Sequence, residues 1–109
     1  MTRVTFYQNS EHQCVGFDVN GHAGYAQEGE DIVCAAISAL VINTVNSIEA
    51  FTEDEFRVDV DEESADIRFS LENSPSKECL LLLNSLILGL QRMEDEQYKD
   101  FIDIIFEEV

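Results

Sequence analysis

Basic residues are scarce in this chain. Lys and Arg number 6 against 23 Asp and Glu in 109 residues, a net charge of -17. Neutralising a phosphate backbone takes lysine and arginine, so no direct nucleic-acid partner is expected. Such an excess of acid favours solubility and a basic partner instead.

Cysteine is also sparse and odd in number, 3 in all. There is no CxxC, and MTRVTFYQ at the start lacks the apolar segment of a secretory signal. A disulfide framework is therefore not expected, and the reading is free thiols in the cytoplasm. The apolar run Leu80 to Leu90 is shorter than the roughly 20 residues that cross a bilayer, so it reads as a buried helix and no membrane partner is expected. No linker, repeat or low-complexity segment interrupts the sequence, which reads as a single domain over residues 1–109.

Other chemistries lack their parts as well. His12, Cys14, His22 and Cys34 show no standard ligand-pair spacing for zinc, and the acids Asp59, Asp61, Glu62 and Glu63 lack the glycine and terminal glutamate of a calcium loop. They read as a solvated hairpin. A strand, a glycine loop and a helix suggest a phosphate cradle, but Gly-Lys-Ser/Thr is missing, and Glu28, Glu30 and Asp31 would repel an anion. No metal or other cofactor is expected.

What is present is pattern. The chain is 45% hydrophobic, enough for a core. Arg3 to Gln8 and Gln13 to Val19 alternate as strands around a turn at Asn9 to His12, with Val4 and Phe6 on one face and Val15, Phe17 and Val19 on another. Helical spacing runs from Asp31 to about Phe51. Phe56, Val58 and Val60, then Ile67, Phe69 and Leu71, make a second hairpin turning at Asp61 to Ser64. Pro75 opens a second helix reaching about Gln97, and Phe101 to Val109 reads as a closing strand, with a helix as its rival. The order ββαββαβ implies an α+β two-layer sandwich, a mixed sheet with both helices on one face. Both helices are apolar on more than one side, and the surplus points to a partner surface, most simply a second copy.

One stretch carries candidate chemistry: GHAGYAQEGEDIVCAAIS, residues 21–38. With Asp31 as the helix N-cap, Cys34 is the third helical residue, where backbone N–H groups lack partners and the helix dipole favours thiolate. Those N–H groups also suit an oxyanion. The charge of Asp31 works partly against the thiolate, and a nearby imidazolium would restore it. Gly21, Gly24 and Gly29 would let the chain fold back so that His22 approaches the sulfur as a base. Ser38, one turn below, is a second donor toward it. Tyr25 reads either as a lid residue or as an exposed one. On the residues alone, Cys34 is equally a small packing residue at a helix start, and His22 a turn residue. Cys14 and Cys79 read as packing thiols, His12 as a solvated turn residue, and Asp100 and Asp103 as surface acids.

Gly21-His22-Ala23 followed by Gly29-Glu30-Asp31-Ile32-Val33-Cys34-Ala35-Ala36-Ile37-Ser38 resembles the two-part signature of the ribosomal-processing cysteine protease family. The resemblance covers the whole chain in length and element order. It implies a cysteine endopeptidase with Cys34 as nucleophile and His22 as general base, supported by Asp31 and Ser38. It further implies a homodimer, and a substrate that is the N-terminal extension of large-subunit ribosomal protein number twenty-seven. The rival from another class is a non-catalytic acidic escort for a basic ribosomal protein. Both account for the charge, but only the peptidase accounts for Cys34 and His22 together.

Overall fold

The computed structural model describes residues 1–21, 30–64, 66–96 and 98–109, with the side chains of Glu30 and Asp31 outside that description. Along the chain run β1 (Thr2–Gln8), β2 (Cys14–Asn20), α1 (Glu30–Phe51), β3 (Phe56–Asp61), β4 (Asp66–Leu71), α2 (Lys77–Asp95) and β5 (Ile102–Glu108). The strands form one five-stranded sheet in the order β3-β4-β2-β1-β5. β1 pairs antiparallel with β2 and parallel with β5, while β2 and β3 both pair antiparallel with β4. The sheet is therefore mixed and the fold is α+β, as the alternation implied. The last segment is a strand and not a helix.

The first hairpin closes through Asn9, whose Oδ1 accepts the backbone N–H of Glu11 and of Gln13 at 2.9 and 3.0 Å. His12 takes the left-handed backbone at φ 62, a conformation in which histidine is one of the less penalised residues. Beyond this turn the register slips: Tyr7 faces Gly16 and Gln8 faces Cys14, leaving Val15 as an extra residue. This bulge corrects the simple alternation. Cys14, Phe17 and Val19 are buried in the core, while Val15 joins Tyr7, Asp18 and Arg68 around a cavity on the opposite side of the sheet. Gly16 is needed where it stands, because a Cβ there would lie 2.7 Å from the Phe69 carbonyl oxygen on β4.

Val4 and Phe6, Phe17 and Val19, and Ile67 and Phe69 supply the strand side of the core. The Phe17 and Phe69 rings stack at 5.0 Å. From α1 come Val33, Ile37, Val41 and Ile48, and from α2 Cys79, Leu83, Leu86 and Leu90, both sets at helical spacing. Each fully buried large side chain contributes about 1.5–3 kcal/mol. Ile32–Phe51 also has the length and hydropathy of a bilayer-crossing helix, with a mean hydropathy of 1.6. Here Val33, Ile37, Val41 and Ile48 of that helix are buried in the core.

Both helix starts differ from the sequence expectation. The described part of α1 runs from Glu30, so Asp31 lies within the helix and is not its cap. Acidic side chains suit the first turn as well as the cap, so the sequence pattern fits either position. α2 is capped by Ser76, whose hydroxyl accepts the Cys79 N–H at 3.1 Å. Pro75 therefore precedes the cap instead of opening the helix. Asp54 in turn accepts the Ser76 N–H at 2.8 Å and the Ser76 hydroxyl.

Both helices keep apolar side chains in water, as their composition implied. Ile32 (69%), Ile42 (52%) and Phe51 (77%) on α1, and Leu81 and Leu88 on α2, are exposed. On the edge strand β3, Val58 and Val60 join Ile42 and Val45 around an apolar cavity of about 190 Å³. At the other edge, the Ile104 N–H donates to Glu94 Oε2 of α2 at 3.0 Å.

Candidate active site

Three thiols meet three different environments. Cys14 is 1% exposed, and burial pushes its pKa up to about 11 against a weaker opposing hydrogen bond to the Gly16 carbonyl. Cys79 is fully buried, and burial together with the Asp54 carboxylate pushes it up to about 12. Both are protonated and enclosed at neutral pH, as packing thiols should be. Cys34 alone of the three is partly exposed.

The sulfur of Cys34 is held from an unexpected direction. Its Sγ lies 3.1 Å from Thr2 Oγ1, across 32 residues of chain. Thr2 sits at the start of β1, on the same face as Val4 and Phe6, and is 2% exposed. Its N–H donates to the Phe101 carbonyl at 2.9 Å, and it stands in register with Ile102 of β5. Among the described residues, then, the sulfur's hydrogen-bonding neighbour is Thr2 and not Ser38. Ser38 is partly buried one turn further along α1. Alternation did carry a signal for Thr2: it places a hydroxyl on the core-facing set of β1.

The place of Cys34 inside α1 also bears on its relation to the helix backbone. An α-helix leaves its first N–H groups without intrahelical acceptors, and the fifth residue's N–H points back to the first residue's carbonyl. His22, Tyr25, Gly24 and Gly29 lie outside the described residues, as does the Asp31 side chain. The chain leading to His22 is described as far as Gly21, whose N–H donates to Asp66 Oδ1 at 3.1 Å. β2 ends at Asn20, which pairs with Arg3, next to Thr2. The polypeptide thus leaves the sheet at the end where Thr2 meets Cys34.

The remaining candidates behave as surface or packing residues. His12 is exposed. Asp61 accepts the Glu63 and Ser64 N–H groups within its own turn, at 3.0 and 3.4 Å. Asp103 pairs with Arg3 at 3.3 Å, and Asp100 is exposed. No cluster of metal-ligating side chains occurs among the described residues.

The α+β sheet thus presents one accessible thiol, on its first helix, and an accessible thiol beside a base can act as a nucleophile. The model of the family described as cysteine protease Prp matches residues 1–103, and this chain belongs to that family. The ribosomal processing cysteine protease Prp of Bacillus subtilis (strain 168) is 29% identical over 104 residues, covering 92% of each chain. The crystal structure of an essential ribosomal processing protease Prp from Staphylococcus aureus with a substrate peptide superposes with a TM-score of 0.92 at 26% identity, over 98% of this chain and all of that one. The same S. aureus protease with a covalently linked product peptide gives 0.87 at 27% identity, with the same coverage. This chain is accordingly a cysteine protease of that family.

Proposed function

We propose that this protein is a cytoplasmic, homodimeric, single-domain endopeptidase that removes the N-terminal extension of large-subunit ribosomal protein number twenty-seven during ribosome maturation. The observation that carries the chemistry is the partly exposed Cys34 thiol, set against two buried and protonated ones. His22 takes the Cys34 proton and the thiolate attacks the scissile carbonyl carbon. The first free N–H groups of α1 receive the developing oxyanion. His22 then protonates the leaving amine, and water attacks the thioester to release the acyl group and restore the thiol. Asp31 and Ser38 support the geometry without exchanging protons. The covalently linked product peptide of the S. aureus relative fits such a covalent step. The net charge of -17 suits a basic ribosomal protein, and the exposed apolar residues of α1, α2 and β3 suit a second copy.

Incubation with the extended ribosomal protein, read by mass spectrometry, should show one N-terminal cut. An intact substrate after prolonged incubation overturns the reading. A folded His22→Ala variant should lose about 10²–10⁴-fold in turnover, the usual contribution of a general base. Normal turnover would remove His22 from the mechanism.

A further inference from the structure

The geometry points to Thr2 as a positioning residue for the nucleophile, its hydroxyl donating to the Cys34 thiolate. This inference rests on the reading of Cys34 as the attacking atom. Three observations carry it: the 3.1 Å approach of Oγ1 to Sγ, the near-complete burial of Thr2, and the anchoring of its backbone to the Phe101 carbonyl just before β5. A hydroxyl on a core-facing strand position needs a partner, because burying it unsatisfied is costly. Here the partner is sulfur. With the thiol protonated, either atom can donate. Once the thiol loses its proton only the hydroxyl can, and a hydrogen bond to a charged acceptor is about twice as strong as a neutral one. The bond therefore persists when the thiol ionises and holds the sulfur at the end of the sheet where β2 stops.

The same stabilisation has an opposite effect on reactivity. A better-stabilised thiolate is present at lower pH but attacks less readily, since nucleophilicity falls with basicity. Removing the hydroxyl should slow the sulfur at low pH and leave it as fast, or faster, at high pH. Simple misplacement of the sulfur would slow it at every pH, so the two roles separate.

Charged groups on the surrounding elements are the Met1 amine and Arg3 on the β1 side, His22, Glu30 and Asp31 leading into α1, Asp103 on β5, and Arg92, Glu94 and Asp95 late in α2. Thr2→Val alters none of these charges and nearly preserves side-chain shape in a strand, so a change in the pH profile reports on the hydroxyl.

The test is the iodoacetamide rate at Cys34, followed by peptide mapping from pH 5 to 10 in wild type, Thr2→Val, Thr2→Ala and Thr2→Ser. Thr2→Val and Thr2→Ala are expected to label about tenfold more slowly at the acid end of that range, with no loss at its alkaline end. Thr2→Ser should track wild type. Peptide cleavage should lose kcat with KM unchanged. Superimposable profiles, or uniform slowing at all pH in both hydroxyl-free variants, overturn the role. Cleavage surviving in Cys34→Ala would instead put the nucleophile elsewhere and overturn the reading this inference rests on, while the labelling profiles decide separately on the Thr2 bond.

Discussion

Each helix of this protein places a cysteine near its N-terminus, and the two sites are opposites. At the start of α2, Ser76 caps the backbone, Asp54 holds Ser76, and Cys79 is sealed beneath them with its pKa pushed up to about 12. At the start of α1, Cys34 stays partly exposed, with a hydroxyl from a distant strand at its sulfur. Both thiols sit at the positive end of a helix dipole, an effect of roughly 0.3–1 kcal/mol at exposed sites. Burial and an adjacent carboxylate override it completely at Cys79. A helix N-terminus therefore does not make a thiol reactive. Access, and the choice between a carboxylate and a hydroxyl as neighbour, decide the matter.

The contrast breaks most sharply under substitution of each thiol. Cys34→Ala should reduce cleavage of the extended ribosomal protein to background, while Cys79→Ala should retain near-normal cleavage in a less stable protein. Cleavage at wild-type rate by Cys34→Ala, read by mass spectrometry, would put the nucleophile elsewhere. Next in size is labelling: limiting iodoacetamide at neutral pH should modify Cys34 at least about a hundredfold faster than Cys14 or Cys79, which need an opening of the core. Equal labelling of all three would erase the distinction.

The smallest effect concerns the sealed site. Ser76→Ala should cost about 0.5–2 kcal/mol in denaturant unfolding, the usual cost of losing a cap, and leave Cys34 labelling unchanged. That cost depends on pH. Burial alone would raise the Asp54 pKa, but hydrogen bonds from the Ser76 hydroxyl and N–H outweigh it and hold the carboxyl below its ordinary 3.8. A lowered folded-state pKa means stabilisation that is present above 3.8 and lost as pH falls through the folded value. The penalty of Ser76→Ala should therefore be largest near neutral pH and shrink below pH 3.8. A pH-independent penalty would show that Asp54 adds nothing to the cap.

Much of this architecture was legible because alternation and helical spacing are local signals. The seven-element order, the buried Cys14 and Cys79, and the second hairpin follow from periods of two and about 3.6 residues. What escaped was what one residue decides or distance creates. A bulge adds a single unpaired residue, so Val15 leaves the set it shares by counting. Acids serve equally in a cap or a first turn, so Asp31 reads as a cap although it lies within α1. Pro75 and Ser76 both suit a helix start, but only Ser76 has a side-chain acceptor for the Cys79 N–H. The Thr2–Cys34 contact depends on the order in which strands assemble, with β1 placed between β2 and β5, and no local pattern encodes that.

The Glu94 carboxylate on the Ile104 N–H also bears on how copies can stack. A sheet grows into a filament only if it offers unpaired backbone at both borders, so that each unit can receive a neighbour and pass the contact on. Here the β5 border has one of its donors occupied by the protein's own side chain, while β3 forms the other border. A strand added along β5 would have to displace Glu94 from that donor.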